Sequence, residues 1–233
     1  TDAGQRYLIP LRAAFDAISI ATQSVAPRTT GAEMVIAAPA DFAVNWLLPT
    51  LGGFRATHPS LELKLADATG PDVVLRGRAA IAILPGLSSH PELAATHLVD
   101  DRRFPATAPA TSAPPAGDAV LLTADDEQLW RQALPGGGFD TRPHMAFARR
   151  ELAVRAAELG RGVVLASSVE DAASLMAGRL VPVDTAPDVL AASWYALCPP
   201  GRLSCPEERA VLDWLVQAGA AGVPVETKSP TAA

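Results

Sequence analysis

The sequence predicts an α/β fold with a mostly parallel sheet, and three observations predict it. Short apolar strand candidates alternate with longer helical stretches from Glu33 onward. A Pro-rich stretch over residues 105–117 breaks that alternation into two blocks of similar size. The segment before residue 27 carries a helical seam of its own.

That seam runs through residues 2–26, with Leu8, Leu11, Phe15, Ile18, Thr22 and Val25 at steps of 3, 4, 3, 4 and 3, the pattern of a coiled coil. Pro10 sits early enough to be tolerated near a helix start, Pro27 stops the helix, and Arg28-Thr29-Thr30-Gly31 reads as a linker. The seam is too short to stand alone. It needs a partner, either the surface of its own domain or a second chain, and the linker favours the second chain.

The strand candidates beyond it are Met34–Ala38, Leu61–Ala66, Ala80–Leu84, Ala119–Leu122, His144–Phe147, Val163–Ala166 and Trp194–Cys198. Phe42–Ala56 reads as a helix, with Phe42, Trp46, Leu47, Leu51 and Phe54 at helical spacing and Asp41 as its N-cap. Glu151–Leu159 is expected to end on Gly160, and Ser168–Ala177 to open on the capping box Ser168-x-x-Asp171 and stop at Gly178. Pro206–Ala218 carries Glu207 and Glu208 in its first turn, with Gly219 as its stop. The tail 220–233 has no periodicity and is expected to be frayed.

Composition narrows the function classes. The 233 residues carry a net charge of −6, which argues against a broad grip on a phosphate backbone. With 49% apolar and 19% charged residues the chain can bury a core, and no apolar run approaches the roughly 20 residues of a bilayer crossing. Cys198 and Cys205 are too few for a disulfide scaffold. The start at Thr1-Asp2-Ala3-Gly4 has neither an initiator Met nor a signal peptide, so the chain reads as a cytoplasmic fragment of something longer.

Catalytic and metal motifs are missing. There is no Gly-x-Ser-x-Gly elbow, no phosphate loop with Lys and no His-Glu-x-x-His, and His58, His90, His97 and His144 are scattered. Gly160-Arg161-Gly162 reads as a helix stop feeding a strand. Cys198 and Cys205 allow a redox pair, although a buried thiol and a helix-start thiol are the simpler reading. Asp100-Asp101 and Asp125-Asp126 read as solvated charges. The sequence therefore points away from an enzyme, a cofactor or a metal site. Strand ends that run into helix starts remain as binding positions: Ala40, Asp41 and Phe42 after the first strand, Arg149 and Arg150 before another helix, and Ser167 after a later strand. Asp41 also has its capping role as an alternative, and the two arginines have plain solvent exposure.

These pieces, in this order, resemble the LysR-type transcriptional regulators. Thr1-Asp2-Ala3-Gly4 is similar to the Thr-x-x-Gly that closes their winged helix-turn-helix. Phe42-Ala43-x-x-Trp46-Leu47-x-Pro49-x-Leu51-x-x-Phe54, then His58-Pro59 and Leu61-Glu62-Leu63, resemble the first helix and second strand of their effector domain. Phe104-Pro105-Ala106-Thr107-Ala108-Pro109 resembles the first crossing between lobes. Ala156-Ala157-x-x-Gly160-x-Gly162-Val163-x-Leu165 and Ala177-Gly178-Arg179-Leu180-Val181 resemble the second lobe. Tyr195-x-Leu197-x-Pro199 and Asp213-Trp214-Leu215 resemble the return crossing and last helix. The style is nearest to the branch containing glycine-cleavage and beta-lactamase activators.

The resemblance implies two Rossmann-like lobes joined by two crossing strands, of the type 2 periplasmic-binding-protein-like kind, preceded by a linker helix. It implies a linker helix and hinge over 1–30, lobe I over 31–107 plus 199–219, lobe II over 108–198 and a disordered tail over 220–233. It implies a small-molecule effector bound between the lobes, with Pro85, Gly86 and Thr107 joining Ala40, Asp41, Phe42, Arg149, Arg150 and Ser167 around it. Arg149 and Arg150 stand where relatives often carry small polar residues. Ala82-Ile83-Leu84-Pro85-Gly86 departs from the branch's Ile-Arg-aromatic-Gly, so no relative's effector is carried over. The cationic rim of one lobe and the acidic rim of the other suggest a carboxylate or amino-acid-like ligand. The implied partners are a second copy of the chain, as homodimer or homotetramer, DNA only through the missing N-terminal domain, RNA polymerase as a further contact, and no membrane. A free-standing solute-binding protein of the same fold is the alternative.

Overall fold

A computed structural model describes residues 7, 34–109, 119–183 and 188–221. Apart from Tyr7, the expected linker helix over 2–26 lies outside the described residues, as do the hinge to residue 30, most of the Pro-rich stretch and the tail from 222. In chain order the elements are β1 (Met34–Ala38), α1 (Ala40–Phe42), a π-helical turn (Ala43–Leu47), α2 (Leu48–Thr57), β2 (Leu63–Asp67), α3 (Asp72–Leu75), β3 (Ile81–Pro85) and β4 (Ala94–Thr107). There follow β5 (Leu121–Thr123), α4 (Glu127–Ala133), β6 (His144–Ala146), α5 (Arg150–Glu158), β7 (Val163–Ser167), α6 (Ala172–Met176), β8 (Val181–Pro182), β9 (Val189–Cys198), a 3₁₀ turn (Pro200–Ser204) and α7 (Pro206–Ala221).

The described residues form two compact units, one of 34–43, 48–98 and 194–220, the other of 44–47, 99–193 and 221. The chain passes from one to the other inside β4, at Leu98/Val99, and inside β9, at Ser193/Trp194. Sequence resemblance puts these passages at 107 and 198; an unbroken strand carries no sequence mark of the residue at which it changes unit.

In the first unit the strand order is β2-β1-β3-β9, with β1 parallel to both neighbours and β9 antiparallel to β3. Ala37, Ala82, Leu84 and Leu197 pack with Val74 of α3 on one face, while alternation sends Met34, Ile36, Ile81 and Ile83 to the other, also buried. A sheet covered on both faces has no room for polar alternation, which is why these strands read as apolar runs. The second unit repeats the plan as β6-β5-β7-β4, with β5 parallel to its neighbours, β4 antiparallel to β7, and β8 paired on β4. Leu122, Val164 and Ala166 face Ala153, Val154 and Ala157 of α5; Leu121, Val163 and Leu165 face Trp130 and Ala133 of α4.

Pro105 and Thr107 lie within β4, the strand that passes between the units, as the resemblance implies for Thr107; Pro105 offers no amide, but its carbonyl accepts the Val183 N–H at 2.8 Å. Gly219 does not stop α7, which runs to Ala221. A Cβ at Gly219 would stand 2.1 Å from the Leu98 carbonyl oxygen, so this glycine lets the helix meet the backbone of β4. Gly160 does behave as a stop. Its φ of 70° and the bonds Gly160 N–H to Ala157 and Arg161 N–H to Ala156 make the left-handed cap of α5.

Glu158, at the end of α5, ties that helix to α6. It accepts the Ser174 hydroxyl at 2.6 Å, Arg155 Nη1 at 2.6 Å and Arg179 Nε at 3.0 Å. Burial works against its charge, but the bonds from Ser174, Arg155 and Arg179 outweigh it and hold the carboxyl below its ordinary value. Both arginines are half exposed, so water screens part of the attraction. Glu158→Gln is expected to lower stability by about 1–2 kcal/mol at pH 7. A depressed carboxylate contributes fully above the ordinary value of 4.5 and loses its contribution as pH falls through the folded value. Urea melts of the two proteins should therefore converge in acid. Gly219→Ala is expected to cost about 1–3 kcal/mol in the same melts, because a rigid backbone oxygen must give way.

Candidate functional site

The carboxyl end of β7 delivers Ser167 into a polar cluster of the second unit. Its hydroxyl donates to Asp101 Oδ1 of β4 at 2.5 Å and accepts the amides of Val169 at 3.1 Å and Glu170 at 2.7 Å. Asp171 returns the favour by accepting the Ser167 amide at 2.7 Å. These bonds close a reciprocal turn over residues 167–171; α6 itself begins after it at Ala172 with Asp171 as N-cap, not at the expected Ser168. Ser168 Oγ instead accepts the Arg102 amide at 2.9 Å.

Two guanidinium groups enter the same cluster. Arg150, the first residue of α5, grips both oxygens of Asp171 and donates to the Leu165 carbonyl at 3.2 Å. Its Nε is buried without a hydrogen-bond acceptor and lies 3.8 Å from Glu170 Oε2. Arg103 of β4 donates from Nε to Asp101 Oδ2 at 3.0 Å and from Nη2 to Glu170 Oε2 at 2.6 Å. Burial opposes the Arg150 charge, yet Asp171, with Glu170 and Asp101, raises its pKa overall. Burial pushes the Glu170 carboxyl up in spite of Arg103 and Arg150. Asp126 is also pushed up by burial, against the Ala124 amide that it accepts at 3.0 Å and the two arginines.

In the first unit, β1 runs through Pro39 into the helical segment. Pro39, extended at φ −56° and ψ 143°, is the N-cap, so Asp41 sits inside the first turn and does not cap it. Leu48 N–H bonds to the Ala43 carbonyl, five residues back, which makes the following turn π-helical, a feature frequent at functional sites. Phe42 is buried and packs on Trp194 with ring centroids 4.4 Å apart; Trp194 pairs with Pro85 across β3 and β9. Gly86 follows at φ 73°. Trp194 is 2% exposed, and its indole N–H meets no acceptor. A buried donor left unmet costs about 1–3 kcal/mol. It can donate to any acceptor that reaches it.

The structure thus gathers Phe42, Pro85 and Trp194 in one unit and Arg150 with Ser167 in the other, with Ala40, Asp41 and Gly86 beside the first set in the chain. It does not bring Thr107 to Ser167. Thr107 is buried and donates to the Gly162 carbonyl at 3.0 Å, at the opposite end of β7, about 16 Å away at about 3.3 Å per residue. The residues of β4 that do reach Ser167 are Asp101 and Arg103. Arg149 is solvent-exposed and lies against Glu151, with Nη2 3.0 Å from Oε1. Asp101 is not a solvated charge: it is 1% exposed. Sequence reasoning passed over Asp101, Arg103, Glu170, Asp171 and Trp194. The run Asp100-Asp101-Arg102-Arg103 inside an otherwise strand-like segment marks two of them, and Ser168-x-x-Asp171 marks a third, there as a helix cap.

The two cysteines are not joined. Burial and then Glu208 push the Cys198 thiol up, the opposite of an activated thiol. Among the described residues no group of His, Cys, Asp and Glu is arranged to hold a metal, and no helix is long and apolar enough to cross a membrane.

The profile of the LysR substrate binding domain matches residues 28–220. The chain is 24% identical over 238 residues to the glycine cleavage system transcriptional activator of Escherichia coli K12, covering 95% of this chain and 76% of that protein. It is 27% identical over 225 residues to the AhcY transcriptional activator HvrB of Rhodobacter capsulatus, covering 92% and 76%. The effector domain of the regulator AmpR of Pseudomonas aeruginosa superposes with a TM-score of 0.65 at 26% identity, over 82% of this chain and 96% of that one. Full-length LysG of Corynebacterium glutamicum, solved with its effector Arg bound, gives 0.58 at 17% identity, over 93% and 76%. These likenesses favour the regulator over the solute-binding alternative, and the relatives named are regulators of transcription. The chain belongs to the LysR substrate-binding-domain family and is the effector-binding domain of a LysR-type transcriptional regulator.

Proposed function

We propose that the effector is a small carboxylate, amino-acid-like in kind. The Arg103–Arg150 pair carries this reading: two guanidinium groups at the carboxyl end of β7, one of them with a buried N–H that lacks an acceptor. The surrounding acids Asp101, Glu170 and Asp171 fit a ligand that brings an ammonium group as well. Ala40, Asp41, Phe42, Pro85 and Gly86, with the Trp194 indole, are proposed as the first unit's contacts, and Arg149 as a charged residue at the rim. Arg103 replaces Thr107 in this set.

The proposed output is control of DNA binding through a winged helix-turn-helix elsewhere in the regulator, in the cytoplasm, by a shift in the population of conformations. RNA polymerase is a further proposed contact. Self-association as a dimer or tetramer is supported by exposed apolar side chains on two helical stretches, Val44 and Leu48 on one and Leu152 and Leu159 on the other.

A thermal-shift screen of amino acids and small carboxylates against the chain tests the reading. A ligand at a hundred times its Kd stabilises by about 2.7 kcal/mol, which raises the Tm by about 5–10 °C for a chain of this size. A screen in which only carboxylate-free compounds raise the Tm would refute the carboxylate class. Trp194→Phe keeps the stack on Phe42 and deletes the unmet donor. It is expected to weaken the ligand found by about ten-fold while changing the stability of the ligand-free protein by no more than about 1 kcal/mol, the lost ring volume offsetting the deleted unmet donor. Calorimetric titration and a urea melt read the two effects separately. Sedimentation of the chain at tens of micromolar, roughly the range of weak assemblies, is expected to give at least a dimer mass.

A further inference from the structure

The three carboxylates around Arg103 and Arg150 are not equivalent. Asp171 is saturated: it takes both Arg150 Nη groups and the Ser167 amide. Asp101 is equally committed, to the Ser167 hydroxyl and Arg103 Nε. Glu170 is held by one oxygen alone, 2.6 Å from Arg103 Nη2 and too far, at 3.8 Å, to bond Arg150 Nε. It is also the most exposed of the three, at 17%. The turn that carries it is capped through Ser167 and Asp171, so it does not depend on the Glu170 side chain.

We propose that Glu170 is an internal stand-in for the effector, its carboxylate occupying the place on Arg103 and Arg150 that the effector's carboxylate takes. This rests on the carboxylate reading above and names where that group binds. An incoming carboxylate spans two donors with its two oxygens, one on Arg103 Nη2 and one on Arg150 Nε, and so gives the orphaned N–H the acceptor that Glu170 does not reach. Glu170 swings into water on its flexible stem, where its charge is better solvated than in the cluster. The exchange swaps one anion for another, so the buried arginines never stand uncompensated. Ligands without a carboxylate gain nothing at this point, and an effector must outcompete a tethered rival, which keeps the site closed to weak anions.

The test uses the full chain and acetate as the probe. Nitrogen-15 spectra report the Nε–H signals of Arg103 and Arg150 as acetate is titrated into wild type and Glu170→Gln. The proposal expects both signals to move, with a midpoint in Glu170→Gln at least about ten-fold below that of wild type, the size of one charge-assisted hydrogen bond. Glu170→Asp keeps the charge, draws it back by one methylene and should shift the midpoint the same way by less. Equal midpoints in the three proteins overturn the proposal, as does loss of the fold in both variants, which would make Glu170 a structural counter-ion. An amino acid that stabilises the chain without moving these two signals keeps the sensing function and overturns only this placement.

Discussion

The Ser167 hydroxyl donates once and accepts twice, and the polar end of the second unit is organised around it. Through its donated bond it fixes Asp101, which fixes Arg103; through its accepted bonds it shapes the turn that presents Glu170 and Asp171, which fixes Arg150. Remove that oxygen and a buried carboxylate loses a donor while two amides lose their acceptor, each loss worth about 1–3 kcal/mol. A charged cluster at this depth is tolerable only when nearly every lone pair and N–H is used. Among the described residues of the cluster, Arg150 Nε is the buried nitrogen left without a hydrogen-bond partner, and it stands out for that reason.

The same economy appears in the backbone. Each unit places a parallel trio of strands beside one antiparallel strand, and each needs a glycine where main chains come within van der Waals contact. Gly162 faces the Val120 carbonyl, at 2.3 Å from where its Cβ would be, as Gly219 faces Leu98. Neither glycine is there for a turn. In both cases the missing methyl is what lets one element lie on another's backbone.

Much of this was legible from residue pattern. Apolar runs such as Met34–Ala38 and Val163–Ala166 announce buried parallel strands, and Gly160 announces the end of its helix. β4 stayed hidden because its middle carries Asp100-Asp101-Arg102-Arg103, which mimics a solvated loop until long-range partners are known: Asp101 finds Ser167 66 positions later. α4 was hidden by its brevity, seven residues behind two aspartates. Among the candidate residues, Phe42 in the first unit and Arg150 and Ser167 in the second are marked in the sequence by strand ends that run into helix starts. What Arg150 does is not, since its counter-charge lies 21 positions away. Trp194 escaped because a tryptophan in an apolar strand looks like core; its unmet indole N–H is shared with the core residue Trp130, and what sets it apart is its stack on Phe42, where a strand end runs into a helix start.

The π-helical turn after Phe42 has a bearing on how this domain could be recombined with its relatives. Such a turn is an α-helix with one residue too many, so the segment from Leu48 onward is rotated by about 100° relative to an uninterrupted helix. A chimera that joins the first strand of one regulator to the first helix of another at this point inherits the phase of one parent and the core of the other. Gapless alignment across Ala43–Leu47 would pair residues that face different directions, and the splice is safer at Pro39 or beyond Thr57.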